Sequence, residues 1–266
     1  MLIKYKKCRN CETYYDPTLE KCPHCYKRNE LYLDNEISNH VAFMHPIAQI
    51  GLFLGGFGFA GMLFIRLILS IFTDHIADDA VRSATLISLA YVFMLIGLAA
   101  IVLFTRRKYF FSRYKRGIDY FYGLIYAITL VLVGSLIGVI VSIFYKVEDN
   151  ANQSAAIEYA NNYPILAFFI LGIIGPICEE LTYRVGLYSF LRRINKYLAI
   201  FVSAIIFAII HFGFDAEDIV GELVALPSYI ASGIVLAIAY ENRGPACSMT
   251  AHIIYNIFAF LLMLGR

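Results

Sequence analysis

The chain has 266 residues, of which 60% are hydrophobic and 16% charged, and its formal net charge is +2. Soluble globular domains carry about 25% charged residues, so this composition indicates a protein in contact with a lipid bilayer. The small net charge does not favour a polyanionic ligand, and we expect no nucleic-acid partner. The first residues are polar and lack an apolar core, so no cleavable signal peptide is predicted.

The N-terminal segment carries four cysteines in the pattern C-x-x-C, then ten residues, then C-P-x-C. These cysteines are Cys8, Cys11, Cys22 and Cys25. Two such pairs supply the four thiolates that Zn²⁺ prefers, and a metal replaces the core that so short a segment cannot build. We predict a zinc-ribbon-like module at residues 1–28 with a structural Zn²⁺. Two disulfides are the alternative, and a protein partner could dock on the module.

Residues 29–45 are predicted to link this module to a transmembrane domain at residues 46–266. Seven apolar segments follow the linker: 46–72, 84–105, 118–145, 164–190, 197–214, 219–240 and 245–264. Each has about the twenty residues that a helix needs to cross a hydrocarbon core roughly 30 Å thick. Only a helix satisfies its own backbone hydrogen bonds in lipid. The sequence therefore predicts an all-α, polytopic transmembrane helix bundle with about seven spans.

The loops between these segments alternate in charge. Arginine and lysine dominate residues 106–116 and 192–196, whereas acidic residues dominate 74–79 and 215–222. Basic loops stay on the cytoplasmic side of a membrane, so the N-terminus is predicted to be cytoplasmic and the C-terminus extracytoplasmic. This orientation places the four cysteines in the reducing cytosol, which favours metal binding over disulfides.

Polar side chains interrupt three of the apolar segments. They are Glu179, Glu180, Arg184, His211, His252 and Asn256. On a helix, Glu180 and Arg184 stand one turn apart and can form an ion pair, while Glu179 is rotated by about 100°. Such groups must find each other or a water-filled cavity within a membrane. We expect a shared cavity; the alternative is that the histidines are structural and that headgroups solvate the charged residues.

The order Glu-Glu-x-x-x-Arg, Phe-x-x-x-His and His-x-x-x-Asn on successive apolar segments resembles a known family. It is similar to the CAAX-protease and bacteriocin-processing (CPBP) family of intramembrane proteases, whose eukaryotic relatives include the Ras-converting prenyl-protein endopeptidase. The resemblance covers a protease-like core at residues 164–264. One departure is Val185, since many relatives place glycine directly after the arginine; here Gly186 follows one residue later.

The resemblance implies an endopeptidase that acts on a membrane-embedded or lipid-anchored peptide or protein. Glu179 would be the general base that activates water, and His211 would hold and polarise that water. His252 and Asn256 would donate hydrogen bonds to the oxyanion. The remaining pair, Glu180 and Arg184, would fix the helix and orient Glu179.

Alternative functions remain open at this point. One is a zinc-dependent version of the same protease, in which two histidines, a glutamate and water would bind the metal. The chain has no H-E-x-x-H motif, so metal-independent activation of water is favoured over a catalytic metal. Others are a non-catalytic bacteriocin-immunity or scaffold protein and a transporter that relays protons. The complete set of polar residues favours the protease.

Overall fold

The computed structural model describes residues 6–8, 10–15, 19, 21–27, 40–42, 44–57, 62–145, 149–214 and 216–264. The chain divides into two compact units, Met1–Asn39 and His40–Arg266. Their boundary falls within the predicted linker, residues 29–45, most of which lies outside the described residues. In the first unit, β1 (Lys6–Lys7) pairs antiparallel with β2 (Tyr14–Tyr15), so the cysteine-rich segment starts as a small hairpin.

The second unit is helical throughout its described elements. Its helices are α1 (Pro46–Gly56), α2 (Met62–Thr73), α3 (Asp79–Ser112), α4 (Gly117–Phe144), α5 (Ala151–Asn162), α6 (Pro164–Leu191), α7 (Lys196–Ile209), α8 (Ile219–Arg243) and α9 (Pro245–Met263). Polar side chains cap several of them: Asp78 accepts from the backbone of Val81 to start α3. Gly244, with φ of 85°, joins α8 to α9 in a conformation that favours glycine.

Five helices in the described part of the chain are long and apolar enough to cross a membrane: α3, α4, α6, α8 and α9. The predicted first span, 46–72, is not one continuous helix, because α1 ends at Gly56 and α2 begins at Met62. The predicted fifth span, 197–214, contains α7, whose 14 residues extend only about 21 Å. The all-α membrane bundle is thus confirmed, whereas seven uninterrupted spans are not.

A further helix, α5, lies where the sequence suggested a loop. The Asn150 side chain caps it by accepting from the backbone N–H of Gln153 at 2.9 Å. Near the other end, buried Tyr159 makes a 2.7 Å hydroxyl–hydroxyl hydrogen bond with Ser88 of α3. The cap residue and the alanines after it were the available signals for this helix. Because the hydropathy of α5 is low, a search for membrane spans does not find this helix.

Helix α6 is not a regular α-helix. It is α-helical at Pro164–Phe169, Gly175–Glu179 and Ser189–Leu191, and π-helical at Ile170–Ile174 and Glu180–Tyr188. π-Helical turns inside helices are frequent at functional sites, because they redirect side chains relative to the regular spiral. The candidate base, Glu179, is the last residue before the second π-helical stretch.

Close packing of α1 on α6 explains why residue 186 is a glycine. A Cβ atom on Gly186 would lie 2.8 Å from the backbone nitrogen of Phe53, which is too close for any side chain. Val185 beside it is fully buried. The departure from the family pattern therefore leaves a glycine where the two helices touch.

A buried ion pair fixes the end of α6 against α8. The Nη2 and Nε atoms of Arg192 lie 2.9 and 3.1 Å from Oε1 of Glu241. The hydroxyl of Tyr188 donates to the same carboxylate at 2.7 Å. These charge-assisted bonds hold α6 and α8, which both line the candidate site, in one relative position.

Candidate active site and metal site

The four cysteines of the first unit form a compact sulfur cluster. Their Sγ atoms all lie within 4.8 Å of one another, with 3.6 Å between Cys8 and Cys25 and 3.5 Å between Cys11 and Cys22. All four thiols are free. Tetrahedral zinc with bonds of about 2.3 Å separates its sulfur ligands by roughly 3.8 Å, so this cluster has the dimensions of a metal site.

The backbone shapes the two halves of the cluster alike. The N–H of Glu12 donates to the carbonyl of Cys8 at 2.9 Å, and the N–H of Tyr26 donates to that of Cys22 at 2.8 Å. Glu12 and Tyr26 have positive φ values of 58° and 56°. Each C-x-x-C pair is therefore followed by the same left-handed residue. Two similar knuckles facing each other bring the four sulfur atoms together.

The thiols of this cluster differ in acidity. Hydrogen bonding with the hydroxyl and backbone of Thr13 lowers the pKa of the Cys11 thiol to about 5. Burial raises the pKa of the Cys22 thiol to about 11. Metal ligands must be thiolates, so a bound cation would supply the charge that makes Cys22 ionise. The cluster can hold a metal ion with four sulfur ligands.

In the second unit, four of the six candidate catalytic residues meet at one cavity of about 290 Å³. Its walls include Glu179 of α6, His211 after α7, and His252 and Asn256 of α9. Residues from α5 and α8 also contribute, including Gln153 and Tyr229, which the sequence analysis did not single out. The cavity is therefore built from elements that are distant in sequence.

Glu180 and Arg184 lie beside this cavity and are fully buried. Nε of Arg184 is 3.5 Å from Oε1 of Glu180, as the spacing of four residues suggests. The same carboxylate oxygen lies 3.1 Å from Nδ1 of His252. The structure thus joins the pair to His252, and the expected role of the pair in orienting Glu179 stays a prediction. Burial also excludes solvation of Arg184 by headgroups.

His252 lies between the two adjacent glutamates. Its Nδ1 faces Glu180, and its Nε2 is 3.5 Å from Oε2 of Glu179. One turn further along α9, the amide nitrogen of Asn256 donates to the carbonyl of Leu171 at 2.9 Å. That carbonyl belongs to the first π-helical stretch of α6. Asn256 is thus anchored through one amide hydrogen, and the other stays available to the cavity.

The sequence predicted His211 within the apolar segment 197–214, but the structure places it outside the helix. α7 ends at Ile209, and His211 lies in the turn that follows. Its Nδ1 is 2.8 Å from the carbonyl oxygen of Phe207, and that oxygen can only accept. Nδ1 is therefore the protonated nitrogen. In the neutral form of the ring, the lone pair then lies on Nε2.

Glu179, His211 and His252 are the residues that would hold a catalytic metal in the zinc-dependent alternative. Nε2 of His252 and Oε2 of Glu179 lie 3.5 Å apart, which is about the separation of two ligands on one tetrahedral zinc ion. Among the residues that the structure describes, the four cysteines are the group whose spacing fits a metal ion. The zinc-dependent alternative therefore stays a prediction for the membrane site.

Comparison with known proteins shows what part of the membrane unit is similar to. Residues 161–258 match the family of type II CAAX prenyl endopeptidase, Rce1-like. The chain is also 27% identical over 136 residues to the UPF0177 protein YvdC of Lactococcus lactis subsp. lactis (strain IL1403), which covers 51% of this chain and 49% of that protein. It thus spans about half the length of that curated relative. No solved structure matches the chain. With its motifs on successive helices around one cavity, this integral membrane protein is similar, over residues 161–258, to the Rce1-like family of type II CAAX prenyl endopeptidases.

Proposed function

We propose that the protein is an intramembrane endopeptidase that hydrolyses a peptide bond of a membrane-embedded or lipid-anchored substrate. The observation that carries the proposal is the cavity that Glu179, His211, His252 and Asn256 line together. Polar groups from three separate parts of the chain are costly in a membrane unless they serve a site. The family supports hydrolysis as the reaction, and a prenylated C-terminal peptide as the first substrate class to test.

Glu179 acts as the general base in this proposal. Water in the cavity gives a proton to the Glu179 carboxylate while its oxygen attacks the carbonyl carbon of the substrate. The C=O electron pair moves onto oxygen, giving a tetrahedral oxyanion. When the C–N bond breaks, Glu179 passes the proton to the departing nitrogen. His211 holds the water through the Nε2 lone pair.

The oxyanion would be stabilised by hydrogen-bond donors on α9. The second amide hydrogen of Asn256 is one donor, because Leu171 takes only the first. His252 is the other when both of its nitrogens are protonated, since Nδ1–H then faces Glu180 and Nε2–H points towards Glu179 in the cavity wall. A single preorganised donor of this kind contributes about 10²–10³-fold to kcat in known hydrolases. Arg184 balances the charge of Glu180.

For the N-terminal module we propose a structural Zn²⁺ held by Cys8, Cys11, Cys22 and Cys25. Four sulfur ligands fill a tetrahedral shell, so no open position remains for chemistry. The metal would fold the module, whose described residues form a two-stranded hairpin and a small core around Tyr15.

The proposed reaction is tested with purified protein reconstituted in liposomes. Wild-type protein is expected to release the C-terminal peptide from a fluorogenic farnesylated peptide. Glu179→Gln should abolish release while keeping the thermal unfolding temperature, because it removes the base without changing side-chain size. Cys178→Ser changes the buried residue next to Glu179 and should release the peptide at close to the wild-type rate. Cleavage by Glu179→Gln at the wild-type rate would refute the catalytic assignment.

The same variant can identify the natural substrate. Glu179→Gln expressed in the native membrane should retain uncleaved substrate, because binding does not need the base. Peptides co-purifying with Glu179→Gln but not with wild type would then be identified by mass spectrometry. If no lipid-anchored or membrane-embedded peptide is enriched, the proposed substrate class is wrong.

A further inference from the structure

Tyr229 of α8 stacks on the imidazole of His211. Their ring centroids are 4.6 Å apart and their planes differ by only 21°. The Phe207 ring also contacts the imidazole, with centroids 4.8 Å apart and planes inclined by 50°. We infer that Tyr229 is a positioning residue for His211, and that helix α5 in turn holds Tyr229.

His211 needs such support because of where it lies. It follows the end of α7 in a turn, so no helix fixes its side chain, and rotation about χ2 of histidine is only weakly restricted. The bond from Nδ1–H to the Phe207 carbonyl holds one edge of the ring. Stacking on Tyr229 holds its plane. Together they keep the Nε2 lone pair directed away from Phe207.

Two asparagines at the start of α5 hold the hydroxyl of Tyr229. Nδ2 of Asn152 donates to this hydroxyl at 3.3 Å, and the hydroxyl donates to Oδ1 of Asn150 at 3.4 Å. Asn150 is also the residue that caps α5. The polar helix is therefore joined directly to the aromatic ring that rests on His211.

A buried carboxylate joins the same helix to the turn that carries His211. Glu222 of α8 accepts from the backbone of Ala151 at 2.6 Å and from the backbone of Gly213 at 2.9 Å. Gly213 lies two residues after His211. The start of α5, Tyr229 and the turn of His211 thus form one closed network. Its geometry assigns α5 a role in shaping the site rather than in linking two spans.

The consequence for activity rests on the proposed function. If His211 positions water, a freely rotating imidazole would place Nε2 correctly only part of the time. Tyr229→Leu should therefore lower kcat by about 10- to 100-fold with little change in KM, since misplacement of a catalytic group by about 1 Å has effects of this size. Tyr229→Phe keeps the ring and should restore most of kcat. Asn152→Ala should give an intermediate loss.

A spectroscopic measurement separates positioning from a general loss of structure. In protein with ¹⁵N-labelled histidine, the His211 signals, assigned with His211→Gln, should show protonated Nδ1 and unprotonated Nε2. Tyr229→Phe should keep this pattern, and Tyr229→Leu should show a mixture of tautomers. Tyr197→Leu, which removes a tyrosine that is 68% exposed, is the matched control and should leave both signals and kcat unchanged.

A single wild-type tautomer and wild-type kcat in folded Tyr229→Leu would overturn the inference. If Tyr229→Leu does not fold, the same measurements are made on Asn152→Ala. Unchanged tautomer signals and kcat in Asn152→Ala overturn the inference, and a mixture of tautomers supports it. The tautomer does not depend on catalysis. Cleavage activity that survives Glu179→Gln would therefore refute the proposed function. The His211 tautomer signals would still test whether Tyr229 positions His211.

Discussion

Nδ1 of His252 lies 3.1 Å from Oε1 of Glu180, and both side chains are almost completely buried. The same carboxylate pairs with Arg184, so a glutamate on α6 links its own helix to a histidine 72 residues away on α9. Both neighbouring glutamates contact His252: Oε1 of Glu180 lies at Nδ1, and Oε2 of Glu179 lies 3.5 Å from Nε2. Of the two, Glu179 lines the cavity, and the proposed mechanism therefore assigns the general base to Glu179.

Removing the Glu180 carboxylate should destabilise the membrane unit. Glu180→Ala leaves Arg184 buried without its partner, which typically costs about 3–5 kcal/mol of folding free energy. Glu180→Gln keeps an acceptor for His252 and should lose less. Thermal or denaturant unfolding in detergent measures the difference. Combining Glu180→Ala with Arg184→Met should recover part of the lost folding free energy. If Glu180→Ala unfolds like wild type, Glu180 and Arg184 do not form a stabilising pair.

The cysteine cluster should bind about one zinc ion per chain, because its four thiolates complete a tetrahedral shell. Elemental analysis of protein purified without chelator tests this. Cys25→Ser should lose most of the zinc, whereas Cys178→Ser, a buried cysteine of the membrane unit, should retain it. A mass that shows two disulfides in protein protected from oxidation would disprove the metal site.

Peptide cleavage should not require a metal at the membrane site. A variant in which Cys8, Cys11, Cys22 and Cys25 are all serine removes the zinc of the ribbon from consideration. In that variant, a strong chelator should leave the remaining cleavage rate unchanged, because in the proposed mechanism Glu179 and His211 activate water directly. Loss of cleavage on metal removal, with recovery on adding zinc, would show that the catalysis is zinc-dependent.

The two ends of α3 should lie on opposite sides of the membrane. The helix has 34 residues, Asp79–Ser112, and is about 51 Å long, more than the roughly 30 Å of hydrocarbon. A cysteine placed at Arg113 should react with an impermeant reagent from the cytoplasmic side, and one placed at Asp78 only from the other side. The chain without added cysteine supplies the background. Labelling of both positions from one side would refute this orientation.

Gly186→Ala should destabilise the packing of α1 on α6. The added Cβ would meet the backbone of Phe53 at 2.8 Å, and overpacking of this kind typically costs about 1–3 kcal/mol. Gly97→Ala in α3 is the matched control, because nothing lies within 4 Å of its added Cβ. Unfolding in detergent should separate the two variants. Equal stabilities would show that α1 does not approach α6 so closely.

Much of this architecture could be predicted from the sequence because it depends on local properties. Apolar runs must become helices in lipid, where the backbone has no other hydrogen-bond partners. The C-x-x-C spacing predicts the sulfur cluster, since each pair forms one knuckle on neighbouring residues. The spacing of Glu180 and Arg184 likewise predicts their contact, because four residues make about one helical turn.

Other features were decided only by the tertiary structure. Glu180 contacts His252 because α9 packs against α6, and spacing along the chain does not report that packing. His211 lies beyond its helix, and Tyr229 reaches it from α8. Hydropathy reports how well each residue suits lipid. It does not report which faces of separate helices meet, and the partners of buried polar groups are set by those faces.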